Sequence, residues 1–315
     1  MLFARRNALV AAEMLTQQLD GMLLRPLFRK YSAHPPQITH YTTMETLEAI
    51  LCSGNLRMTH FRHLNDSTEM LHGRGVINAV LGEARNSKDE TAGFFDYCRF
   101  LFNEVGDVAI QCFLTSFSTL PDSPDLWARY GARCSDVAIC FDTRRMGATA
   151  TDTAPYYIGR VTYTTEEQRE LVSPLVDAAK AVVSRYVRRY GYDVRDVAIQ
   201  VLAARLCAHL NHHCISLKDF NPWHVEREWR TVFSVLANDP ETRKARVKFR
   251  NDGRPFVDVP VLSVEPHDGR MPISAITVGS SADVGGVEAA LRRHGYERVV
   301  VRQSLILEAD LLPWP

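Results

Sequence analysis

The chain lacks an excess of either charge: Lys+Arg and Asp+Glu stand at 37 each in 315 residues. That balance removes the global basic field that drives non-specific binding to nucleic acid or anionic membrane, while leaving room for a local basic groove. Paired cysteines are missing too. The seven cysteines, at 52, 98, 112, 134, 140, 207 and 214, are odd in number, scattered and without a C-x-x-C spacing. This is the usage of a reducing compartment, where Cys serves as a small buried hydrophobe. No apolar run reaches the length of a membrane span. The apolar patch after Arg5-Arg6 is broken by Glu13 and Gln17 before a signal-peptide core can form. A soluble, cytoplasmic protein is therefore expected. There is no G-x-G-x-x-G or Walker sequence, so a Rossmann or P-loop reading finds no support, and no repeat or low-complexity tract.

With 46% hydrophobic and 23% charged residues, the composition is that of a globular protein able to bury a sizeable core. Residues 1–36 read as an amphipathic helical lead, with Ala8, Met14, Leu15, Leu19 and Leu23 near one face. From residue 37 short strands alternate with capped helices. Gln37-Ile-Thr-His-Tyr41 reads as a strand, Thr42-x-x-Glu45 as a capping box, and Asp66-Ser-Thr-Glu69 as a second helix start. Val108 to Phe117 reads as the central strand, and Ser123-Pro124 opens a short helix to Tyr130. Two long helical patterns at about 166–215 interrupt the strands as an insertion. The expectation is α+β: one domain over 37–315 with a mixed or antiparallel central sheet.

The most informative stretch is Phe220-Asn-Pro-Trp-His-Val-Glu-Arg-Glu-Trp-Arg230. After the Asn-Pro turn it alternates as a strand does, which predicts His224, Glu226, Glu228 and Arg230 on one face. Paired carboxylates suit electrostatic and acid-base work, and equally suit a solvated strand face. His40 at a strand end, the hydroxyls of Ser116 and Ser118 on one face of the central strand, and Trp127 with Tyr130 one helical turn apart each have an ordinary structural role as well. Cys207, His209, His212, His213 and Cys214 lack a second cluster at zinc-site spacing. Gly279-Ser-Ser before a helix reads as a turn or a phosphate cradle.

The succession His40-Tyr41-Thr42, then Leu64-Asn-Asp-x-x-Glu69, Ser116-Phe-Ser118, Leu126-Trp-x-x-Tyr130 and Trp223-x-x-Glu-x-Glu-Trp-Arg230 resembles the bacterial family called domain of unknown function 2971, from about Ile38 to Ser304. It is also similar, remotely, to the ADP-ribosyltransferases. That resemblance implies NAD as substrate, no metal, and transfer of ADP-ribose to a macromolecular acceptor, protein or nucleic acid, in a defence or toxin setting. It implies Glu228 and Glu226 as catalytic residues, with His40, Tyr41, Thr42, Ser116, Ser118 and Tyr130 binding the dinucleotide. His-type and Ser-x-Ser/Glu-x-Glu features are mixed here, which leaves the target open. NAD hydrolysis and 2'-phosphate transfer on RNA belong to the same class. The rivals are a catalytically silent nucleotide- or partner-binding module, and a metal-dependent nuclease using Asp66, Glu69, Glu226 and Glu228.

Overall fold

A computed structural model describes residues 10, 13–19, 35–64, 69–87, 89–104, 110–146, 156–236, 246–260 and 270–311. Its strands are β1 (Gln37–Thr42), β2 (Asn55–His60), β3 (Ile110–Ser118), β4 (Val137–Asp142), β5 (Tyr156–Arg160), β6 (Glu228–Leu236), β7 (Lys248–Phe249), β8 (Pro255–Pro260), β9 (Ile273–Val278) and β10 (Val300–Gln303). The helices are α1 (Met44–Ser53), α2 (Glu69–Asn86), α3 (Ala92–Glu104), α4 (Pro124–Tyr130), α5 (Thr165–Tyr190), α6 (Val197–Cys214) and α7 (Val284–Arg293).

β3, rich in aromatic and β-branched residues, is paired on both edges. One edge runs antiparallel along β6 for nine residue pairs, from Ile110↔Leu236 to Ser118↔Glu228. The other is shared by β2 and by the start of β1, through Thr39↔Ser118. The ten-stranded sheet follows β10-β9-β4-β1-β3-β2-β8-β7, with β5 added beyond β6. Among the described strands only β9 and β10 run parallel, joined through α7.

Directly opposed residues share a face, and alternate residues change face. One face is apolar. Ile38, Phe113, Phe117, Ile139, Trp229 and Phe233 lie on it, packed against Leu47, Ile50 and Leu51 of α1 and Val287, Ala290 and Leu291 of α7. The other face carries Cys112, Leu114 and Val232, which meet Ile215 just after α6. Behind that contact α2, α3, α5 and α6 form a helical layer with its own core, including Phe94, Phe95, Phe102, Leu175, Leu202 and Leu206. The long helices of the expected insertion are thus packed with 69–104. Gly73 permits the closest approach, because a Cβ there would stand 2.3 Å from the Cys214 carbonyl oxygen.

Local signals resolve as chemistry dictates. Thr43, one residue later than the sequence pattern suggests, caps α1 by accepting from the Thr46 N–H, and Thr42 closes β1. Asp196 caps α6 by accepting from Ala198 N–H, a contact of the kind that stabilises by about 1 kcal/mol. In the helical lead, residues 13–19 are helical; Leu19 is buried in the helical layer and Leu15 packs beside it, whereas Met14 is 57% exposed rather than part of that face. Ala8, Leu23 and residues 65–68, with Asp66, lie outside the described residues.

Candidate functional site

The expected single strand through 224–230 does not form. Trp223–Glu226 coils into a 3-10 turn, Arg227 takes a left-handed conformation (φ 43°), and β6 begins at Glu228. His224 therefore leaves the face carrying Glu228 and Arg230. The Asn221–Pro222 bond before the turn is cis. Glu226 and Glu228 nevertheless converge, because the turn swings Glu226 back toward the residues that Glu228 faces.

What they converge on is cationic. Lys218 Nζ lies 2.9 Å from Glu226 Oε2 and 3.1 Å from Glu228 Oε2. Arg230 binds Glu228 with two parallel contacts, Nε to Oε1 at 2.7 Å and Nη2 to Oε2 at 2.8 Å, the strong fork geometry of a guanidinium-carboxylate pair. Arg129 Nη1 and the Tyr130 hydroxyl donate to Glu226 Oε1 at 2.6 and 2.7 Å. Three cations meet two carboxylates, and all five charged side chains are only 2–6% exposed. Trp223 stacks over Lys218 Nζ at 4.2 Å from the ring centre. Arg230 also donates to the Ile215 carbonyl, and Gln168 holds Lys218 in place by donating to its carbonyl at 2.8 Å. The network ties β6, α4 and the segment leaving α6 into one unit between sheet and helical layer.

Burial alone pushes the Glu228 carboxyl up, but Arg230 and Lys218, with a hydrogen bond from Ser116, outweigh it and hold the group at about 2. Burial, reinforced by the Glu226 charge, raises the Tyr130 phenol far above its ordinary value. Tyr163 is raised by burial and by Glu228, whose N–H its hydroxyl accepts at 3.0 Å. Both phenols stay protonated hydrogen-bond partners.

The other expected site residues divide. Ser116 and Ser118 share the face of Glu228: Ser116 hydrogen-bonds its carboxylate, and the Ser118 hydroxyl donates to the Glu226 carbonyl at 2.6 Å. Tyr130 joins them. Tyr41 is on the same face, but its hydroxyl donates to the Leu120 carbonyl at 3.1 Å and its ring packs edge-on against Trp127. His40 and Thr42 alternate onto the opposite, apolar face. There His40 sits beside Phe117, at 5.7 Å between ring centres, and its Nδ1 donates to the Ser116 carbonyl at 2.9 Å. Burial lowers the His40 pKa, which favours the neutral ring.

Lys218, Arg129 and Tyr163 carried no local sequence signal. Arg230 stood in the Glu-x-Glu-Trp-Arg run, and its spacing from Glu228 was the one available clue. At the secondary candidates, Cys207 and Cys214 donate to the carbonyls of Cys98 and Met70, and the described residues contain no group of three His, Cys, Asp or Glu placed to hold a metal. The Gly279 and Ser281 N–H groups donate to the carbonyls of Asp136 and Cys134, so neither is open to a phosphate.

Across the 226–229 segment from the carboxylates lies a cleft of about 430 Å³, lined by Thr119, Arg160, Val161, Tyr163, Thr164, Glu167, Phe220, His224, Arg227 and Trp229. Phe220 and His224 stack in parallel, 4.1 Å between ring centres. Arg160 pairs with Glu167 at 2.9 Å, whereas the exposed Arg227 guanidinium meets no acid among the described residues. A broader depression along Thr165 to Asp177 is bounded by α5 alone and encloses nothing. Comparison of the chain with protein-family models, curated proteins and solved structures found no match.

Proposed function

We propose that this protein is a nucleotide-binding module whose ligand enters the cleft beside Arg227. The observation that carries the reading is the cleft's lining. Aromatic faces from Phe220, His224, Tyr163 and Trp229 stand with two guanidinium groups in a volume of about 430 Å³, within the range of small-ligand pockets. Aromatic rings take a base, and Arg227 takes a phosphate through paired N–H donors. The carboxylates turn away from this cleft and are saturated by cations, which argues for binding without turnover.

The convergence of Ser116, Ser118, Tyr130, Glu226 and Glu228 on one face favours a second reading, ADP-ribose transfer from NAD to a protein or nucleic-acid acceptor. In that mechanism Glu228 stabilises the positive charge that develops as the nicotinamide bond breaks, which requires its release from Arg230 and Lys218. The nuclease reading is weaker, since Glu226 and Glu228 are both engaged by cationic side chains rather than open to a divalent ion.

Titration calorimetry with AMP, ATP and NAD, run with an assay for nicotinamide release, separates these. The binding reading expects nucleotide affinity that falls about tenfold in Arg227→Gly, a substitution suited to the left-handed backbone, with no nicotinamide released. Nicotinamide release that is lost in Glu228→Gln, together with labelling of an acceptor, supports the second reading, whereas release without labelling is NAD hydrolysis. Absence of nucleotide binding at millimolar concentration, or indifference to Arg227→Gly, overturns the first.

A further inference from the structure

One end of the sheet is β10, whose outer edge pairs with no described strand. The Ser304 N–H donates to the Val278 carbonyl of β9 at 2.7 Å. Main-chain groups of successive residues point to opposite edges of a strand, so Val300 and Arg302 also turn theirs to β9, while Val301 and Gln303 turn theirs outward. No helix or turn interrupts Ser304 to Leu307, and exposure alternates through it. Ser304 is buried, Leu305 is 91% exposed, Ile306 is half-buried and Leu307 is exposed again. The edge thus runs on as extended chain beyond its last bond to β9, and the main-chain groups of Leu305 follow those of Val301 and Gln303.

An apolar edge of this kind is a template for another strand, and natural sheets blunt it with charge, proline or a bulge. From Val300 to Leu307 the only charged residue is Arg302. The order Val300-Val-Arg-Gln-Ser-Leu-Ile306 is self-complementary about Gln303. When the segment pairs antiparallel with its own copy around a two-fold axis at Gln303, Val301 stands opposite Leu305, Val300 opposite Ile306 and Arg302 opposite Ser304. Parity agrees, because Val301, Gln303 and Leu305 then form the hydrogen-bonded pairs with the groups that face outward. Neighbouring registers fail. An axis at Arg302 opposes that guanidinium to its own copy, one at Val301 sets Val300 against Arg302, and one at Ser304 sets Ile306 against Arg302. A slip of one residue pairs outward groups with inward ones. The pairing ends at Val299, whose N–H donates to the Tyr296 carbonyl at 3.0 Å, and at Leu307, whose N–H donates to the Asp310 carboxylate at 2.8 Å.

We infer that this edge is a dimer interface, on which a second copy of the chain lays its own β10 antiparallel so that one sheet runs through both copies. Pairing covers Leu305 with Val301 of the second copy, beside the apolar core under α7 that Val301 already borders. A two-fold contact closes at two copies and so ends the growth that an open edge otherwise permits. The inference does not depend on what occupies the cleft.

The test is sedimentation equilibrium of the full chain at concentrations up to about 100 µM, where a dimer is expected. Leu305→Lys sets a charge against Val301 of the second copy and is expected to weaken association about tenfold or more. Val301→Pro removes an outward N–H, a change that an edge strand tolerates, and is expected to do the same. Circular dichroism checks that both variants keep the fold. Pyrene attached at Gln303→Cys, with the exposed Cys52 replaced by Ser, reads the register, because labels on the axis meet and give excimer emission. A chain that stays monomeric at the highest concentration leaves the edge to a strand of another protein and overturns the proposal. So does a dimer that neither Leu305→Lys nor Val301→Pro weakens, a dimer without excimer emission, or growth into larger assemblies.

Discussion

Lys218 is the residue on which the buried network turns, since it touches both carboxylates. Replacing it with Met is expected to destabilise the fold by about 3–5 kcal/mol, because two buried anions lose their common partner; urea denaturation at pH 7 reads this directly. Protonation acts on the same network. The folded Glu228 value of about 2 lies below the ordinary 4.5, so its stabilisation is complete above 4.5 and is lost as pH falls toward 2. That is worth roughly 3 kcal/mol. The buried histidines act earlier. His213, held at about 4 by burial with a further push from His209, contributes stability that is full above 6.5 and lost as pH falls through 4. Thermal melts from pH 8 to 3 should therefore begin to drop below 6.5 and steepen below 4.5. A flat profile between 6.5 and 4.5 contradicts the histidine assignment, and His213→Asn should remove part of that first decline.

At the scale of elements, Gly73→Ala is expected to destabilise by about 2 kcal/mol or more, because the new methyl meets a backbone oxygen of Cys214 that no rotamer change can move. The equivalent change at Gly75, where a Cβ meets nothing within 4 Å, should be neutral or slightly stabilising through helix propensity. Paired denaturation curves compare the two. Elements whose signals are local were legible in the sequence: the helix Pro124–Tyr130 begins and ends where its Ser-Pro start and Tyr130 placed it. The stretch around Glu226 was legible only in part. Alternation of polar and apolar residues there fits a strand, yet a 3-10 turn and one left-handed residue produce the same convergence of acids by another route. Nothing local announced Lys218, whose place depends on how α6 ends. The separation of His40 from Glu228 follows from the register between β1 and β3, Thr39↔Ser118, and register is a property of the paired strands that neither strand encodes alone.

At the scale of the whole molecule, the two largest cores among the described residues lie on either side of one sheet and meet at Ile215, Lys218 and Arg230, with two smaller clusters beside them. Breaking that junction should loosen the helical layer from the sheet before either core melts. Arg230→Leu with Glu228→Leu removes the paired charges together and keeps apolar volume, and is expected to cost far less than Lys218→Met. If hydrogen exchange in α6 rises equally in the double variant and in Lys218→Met, the charges rather than the packing hold the layers together.

The pairing of β3 with β6 also has a consequence for how the chain is made. Ser118 and the Glu226 carbonyl it binds are 108 residues apart in sequence, so a ribosome adding about 5–20 residues per second exposes β3 on the order of ten seconds before its long partner exists. Only near the end of that interval, once residue 214 is made, are α2, α3, α5 and α6 all complete and able to bury their shared core, while the edge of β3 that β6 will cover stays open. The helical layer can thus form its core before β6 exists, and β6 then brings the last two charges of the network, Glu228 and Arg230, against it.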